Sequence, residues 1–173
     1  MTTPTTDKLV LEISRTIRAP RERVFAAFAS AEELKRWFGP GECYVTAGEM
    51  DFRVGGEYRL SMFTAENGDA DLVGTFHEII HGERLVYSWE WTNNENMRWG
   101  QMMVTVSLSD VEGGTEVHIH HSGMPAAEVC EGHRIGWNGS FDKLDRRYDG
   151  GGDSNHHNTQ PQLEEKKRRD ERH

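Results

Sequence analysis

The stretch "HIHHSGMP", residues 118–125, places three histidines within four positions. Histidine serves both metal binding and acid–base chemistry near neutral pH, so the stretch reads first as a metal site or a catalytic base. Which it is depends on where each ring points. "TEVHIHH" alternates with the period of a half-buried strand. Thr115, Val117, Ile119 and His121 then face the core, and His118 and His120 face the other side. Split in this way, the three rings cannot supply three adjacent ligands from one strand, although His118 and His120 alone could make half a metal site. A zinc set of His121, His133 and Cys130 is a remaining alternative, and Cys130 lying off the helical stripe of His133 counts against it. No metal and no cofactor is expected. His121 remains as a polar group turned inward, with His133 placed to meet it.

Other catalytic patterns are missing. There is no GxSxG, and "NGSFD" lacks its form; there is no Walker loop or GxGxxG, and "DGGGDS" follows no strand. No paired carboxylates stand out. Acid–base work would fall to His121 or His133, with Tyr58 or Tyr87 orienting a carbonyl.

These residues need elements to position them. "KLVLEISRTIR" alternates as a strand. "APRERVFAAFA" reads as a helix with Pro20 at its first position and Val24, Phe25 and Phe28 on one face. "SAEELKRWF" restarts a second short helix, with Ser30 and Glu33 in capping-box spacing and Leu34, Trp37 and Phe38 on its apolar side. From Cys43 to His121 the period is two, broken at regular intervals by "VGG", "ENGD", "HGE", "TNNEN" and "EGGT", which is the pattern of an antiparallel meander. Tyr58, Leu60 and Met62 share a face, as do Leu85, Tyr87, Trp89 and Trp91, and Met102, Val104, Val106 and Leu108. "LVGTFHEII" is apolar on both faces and its phase is unclear. Residues 125–148 return to helical spacing, with Val129, His133, Gly136, Trp137, Ser140 and Leu144 on one stripe. The α+β solution is a curved antiparallel sheet whose apolar face that helix covers.

Three glycines, Gly132, Gly136 and Gly139, interrupt this last helix. Each costs about 1 kcal/mol relative to alanine in a helix interior. Either close packing or room for a ligand must offset that. With the inward Trp, Tyr and Met residues, they suggest a hollow interior. The expected lining is His121 and Trp137, with Trp37, Tyr58, Met62 and Tyr87 around them. Trp89, Met102, His133 and Ser140 complete it.

The chain has 173 residues, enough for one domain. Residues 1–7 read as a flexible N-terminus, 8–148 as the domain and 149–173 as a disordered hydrophilic tail. The formal charge of -9 disfavours nucleic acid and anionic membranes as partners. No apolar run is long enough to span a bilayer, no signal pattern opens the chain, and the two cysteines lack a CxxC spacing. A cytoplasmic protein without stable membrane association is the expectation.

Taken in order, "IRAPRERVFAAFASAEELKRWFGP", "DFRVGGEYRLSM", "GTFHEIIHGERLVYSWEW", "VTVSL" with "EGGTEV", "HHSGMP" and "EGHRIGWNGSFDKL" resemble the family of activator-of-heat-shock-protein-90-ATPase homologues, within the START-like (Bet v 1-like) helix-grip superfamily. The resemblance covers roughly residues 8–148. The family commonly has a second tryptophan where Phe38 stands. The resemblance implies a six- or seven-stranded antiparallel sheet gripping the C-terminal helix, with two short helices after the first strand and a hydrophobic cavity between sheet and helix. The leading functional expectation is non-catalytic binding of a small hydrophobic or amphipathic ligand, such as a lipid, polyketide or aromatic metabolite. The alternatives are a cyclase, dehydratase or hydrolase using the same cavity, and a co-chaperone-like interaction module. A homodimer is left open as a partner.

Overall fold

The computed structural model describes residues 8–148. The expectations of a flexible start and a disordered tail concern residues 1–7 and 149–173 and lie outside the described residues. Seven strands form one antiparallel sheet in the order β1-β7-β6-β5-β4-β3-β2. In chain order, β1 (Leu9–Ile17) is followed by α1 (Arg21–Ala27) and α2 (Ala31–Leu34). The meander follows as β2 (Tyr44–Met50), β3 (Glu57–Thr64), β4 (Gly68–Ile80), β5 (Arg84–Thr92), β6 (Met102–Val111) and β7 (Gly114–Met124), and α3 (Ala127–Arg147) ends it. The helix-grip arrangement is present. The chain reaches the far edge through β2 and returns strand by strand, so that β7 pairs with β1.

Local chemistry explains the short helices. Pro20 caps α1 with its φ of -64° in place of occupying its first turn. The Ser30 hydroxyl accepts from the Glu33 N–H at 3.1 Å, half of the capping box. Strand alternation holds where it is clear: Thr115, Val117, Ile119 and His121 are all 0 % exposed. The ambiguous "LVGTFHEII" belongs to a longer strand, β4, with an irregularity between Phe76 and Glu78. Ala70, Leu72 and Phe76 face inward, and the bulge then shifts the phase, which is why a simple period of two did not fit.

Gly74, also in β4, fits a close approach: a Cβ there would collide with the Ser88 carbonyl oxygen and sit 2.6 Å from the Tyr58 ring. Tyr58 lies flat enough for its hydroxyl to donate to that same carbonyl at 2.7 Å.

The three helix glycines divide. Gly139 lets α3 approach Pro40, whose Cα lies 2.9 Å from a built Cβ. Gly132 and Gly136 have nothing within 4 Å of a built Cβ, so no packing offsets their propensity cost. The two halves of α3 are also held differently. Arg15 pairs with Asp142 at 2.9 Å, Arg18 with Asp145 at 2.8 Å and Glu33 with Arg147 at 2.9 Å. These ties all reach the C-terminal half. The N-terminal half has no such ion pair to the rest of the fold among the described residues and rests on packing around Val129, His133 and Trp137 and on hydrogen bonds between the His133 and Trp137 rings and the sheet.

Candidate functional site

The inward faces of β5, β7 and α3 meet in an aromatic cluster. Trp89 comes from β5, His121 from β7, and His133 and Trp137 from one stripe of α3, one turn apart. The His121 ring centroid is 4.6 Å from that of Trp89 and 5.1 Å from that of His133. Trp89 and Trp137 lie 5.4 Å apart. Trp91 and Trp99, both half-buried, close the outer end against His133. Three elements distant in sequence are thus brought together as the alternation and the helical stripe require.

Hydrogen bonds fix the protonation of both rings. The Val129 carbonyl can only accept, so His133 Nδ1, 2.8 Å away, carries a proton and donates. The Trp91 indole N–H donates to His133 Nε2 at 3.1 Å, so that nitrogen carries none. The Trp137 indole N–H donates to His121 Nδ1 at 3.0 Å, which makes neutral His121 the Nε2–H tautomer. Burial keeps both rings neutral. It pushes the His121 pKa well below 6.5, helped by the repulsion that protonated His121 would meet from His133 and His120 if they too were protonated. It also lowers that of His133, against the opposing effect of the Val129 carbonyl.

Two donors in the cluster have no acceptor. Neither Trp89 Nε1–H nor His121 Nε2–H meets a hydrogen-bond partner, although both atoms are buried. Buried polar groups almost always find partners, and each orphan costs about 1–3 kcal/mol. Chemically, the cluster offers hydrogen-bond donors and no free basic nitrogen. A general base needs an unprotonated nitrogen within reach of substrate, and both such nitrogens are occupied by indoles.

Trp89 also borders a small cavity of about 20 Å³. Phe28, Leu34 and Phe38 line it from the helical side, and Met50, Tyr58, Leu60, Leu72, Phe76 and Tyr87 from the sheet. Its size admits about one water molecule, and its walls are apolar. Burial raises the Tyr58 phenol well above 10, with Tyr87 adding to the effect, and raises that of Tyr87 too. Both stay protonated.

Of the residues expected to line a hollow, Tyr58, Tyr87 and Trp89 do border this cavity. His121, His133 and Trp137 sit behind Trp89, while Met62 and Met102 are buried in the same sheet face. Trp37 and Ser140 have other tasks. The Trp37 indole donates to the Ala27 carbonyl at 2.9 Å, and the Ser140 hydroxyl accepts from the Gly39 N–H at 2.9 Å. Sequence reasoning did not assign Phe28, Leu34, Phe38, Met50, Leu60, Leu72 or Phe76 to the cavity. Their apolar spacing marked most of them as core, and only packing says which core atoms border an opening. The outward pair behaves as its facing requires: His118 pairs with Glu12 at 3.0 Å on the outer face. Among the described residues, no three His, Cys, Asp or Glu side chains converge as a metal set.

The family model described as Activator of Hsp90 ATPase homolog 1-like protein matches residues 18–149. The chain belongs to this family. None of the curated proteins it was compared with matches significantly. Solved structures similar to this member of the family include a Chromobacterium violaceum protein, 27% identical with a TM-score of 0.67, covering 80% of this chain and 96% of that one. A Nitrosomonas europaea protein is 25% identical with a TM-score of 0.67, covering 80% and 92%. An AHSA1 protein of Silicibacter pomeroyi is 21% identical with a TM-score of 0.69, covering 80% and 96%, which speaks for the fold alone. The family match spans α1 to the end of α3 and so includes the cluster, the cavity and Gly132, Gly136 and Gly139. No described helix of this member is long and apolar enough to cross a membrane.

Proposed function

We propose that this protein binds one small, largely apolar molecule between the sheet and α3, without transforming it. The observation that carries the reading is the pair of orphaned, neighbouring N–H donors, one of them on Trp89, which also borders the apolar cavity. Such a site has an apolar body and one polar end. The described conformation is then the closed one, since about 20 Å³ admits no organic ligand. Opening falls to the N-terminal half of α3, where Gly132 and Gly136 weaken the helix and no packing at those positions opposes movement. The absence of a free basic nitrogen on either buried histidine favours binding over acid–base catalysis.

Native mass spectrometry of freshly purified protein tests this. A discrete mass excess that leaves on denaturation, or 1:1 binding of the apolar dye 1-aminoanthracene, is expected. Met50→Phe should weaken dye binding at least about tenfold, because Met50 is half-buried and borders the cavity, where the larger ring occupies ligand space. Absence of both the co-purified mass and saturable dye binding would overturn the proposal.

A further inference from the structure

The two orphaned donors specify the chemistry of the ligand's polar end. We infer that Trp89 Nε1–H and His121 Nε2–H together hold one uncharged acceptor oxygen, the carbonyl of a ketone, ester or amide on an otherwise apolar molecule. The inference rests on the binding proposed above and adds what is recognised there.

Four observations carry it. Both atoms are donors: an indole N–H has no other role, and His121 is locked as the Nε2–H tautomer by Trp137. Both are buried and without partners, with His121 0 % and Trp89 4 % exposed. The rings are neighbours, 4.6 Å between centroids in an edge-to-face arrangement. The other polar atoms of the cluster are already satisfied: His133 by Val129 and Trp91, and Trp137 by His121. Two unmet donors with no unmet acceptor call for an acceptor in the ligand. The charge follows from the surroundings. The rings around the pair are those of Trp137, His133, Trp91 and Phe38, and none carries a cation to offset a buried carboxylate. A neutral carbonyl satisfies both donors without that penalty. A hydrocarbon of the same shape leaves both orphaned, and sites built to hydrogen-bond discriminate against such analogues.

The test compares 2-acetylnaphthalene with 2-isopropenylnaphthalene, which replaces the carbonyl oxygen by a methylene group at nearly the same shape. Affinities come from titration calorimetry, and the five indole N–H resonances are followed in nitrogen-15 correlation spectra. The ketone should bind on the order of tenfold more tightly. It alone should move the Trp89 indole proton downfield. Trp89→Phe, which removes the donor and assigns its resonance, should bring the two affinities within about threefold. Where that variant does not fold, the wild-type affinity ratio and the single shifting indole resonance decide. Equal affinities with no shifting indole would overturn the inference and leave the binding proposal intact. Failure of both probes to bind would overturn both.

Discussion

Lowering the pH from 7.0 to 5.5 should destabilise this protein steeply, through two rings. His121 is 0 % and His133 8 % exposed, and both are neutral in the fold, with pKa values lowered chiefly by burial. In the unfolded chain each returns to the ordinary value of 6.5. Below that pH the unfolded state binds more protons than the native state. The stability these groups contribute is therefore complete above about pH 6.5 and declines as pH falls, until the depressed folded-state values are reached. Each ring that stays neutral costs about 1.4 kcal/mol per pH unit in that window. Integrated from pH 7.0 to 5.5, a ring that stays neutral throughout costs about 1.3 kcal/mol; His121, lowered well below 6.5, supplies this and His133 adds to it, a sizeable share of the 5–15 kcal/mol typical of a domain. Urea unfolding followed by tryptophan fluorescence should show the midpoint falling by at least about 0.6 M for an m-value near 2 kcal/mol per M. Asp145 does not blur the result. Burial alone would raise its carboxyl, but hydrogen bonds and charge from Arg18, with Arg15 behind, bring it below 3.8, so its effect appears only at more acidic pH. A midpoint unchanged between pH 7.0 and 5.5 would refute the reasoning, as would ring nitrogen-15 spectra showing His121 protonating near 6.5.

Gly132→Ala should raise stability by about 0.5–1 kcal/mol, because a Cβ there meets nothing within 4 Å and the helix gains propensity; a lower thermal midpoint would contradict the open space. If the N-terminal half of α3 opens for the ligand, the same substitution should slow association of 1-aminoanthracene, read by stopped-flow fluorescence. Gly74→Ala should cost more than about 3 kcal/mol in urea unfolding, since its methyl would meet the Ser88 carbonyl and the Tyr58 ring. Ser140→Ala should cost about 1–3 kcal/mol by orphaning the buried Gly39 N–H, and a neutral result by the same measurement would show that water reaches that amide.

Some of this was legible in the sequence because the responsible physics is local. Alternation alone turned His121 inward and His118 outward, since successive strand residues face opposite sides. The 3.6-residue stripe placed His133, Trp137 and Ser140 on the covered face of α3. The β4 bulge hid its own phase, because one extra residue breaks the period that reveals a face. Partnerships were beyond reach. That Trp137 donates to His121, that Trp91 donates to His133, and that Trp89 has no acceptor depend on ring positions set by β5, β7 and α3 packing together. The same holds for Ser140: its spacing said inward, but only the approach of Gly39 made its hydroxyl an anchor for a loop. The cavity shows the division most sharply. Sequence determined that the interior is rich in Trp, Tyr and Met, and tertiary structure decided that Phe28, Leu34 and Phe38 close it to about 20 Å³. Periodicity reports which way a side chain points, whereas the space left between side chains depends on how elements far apart in the chain fit against one another.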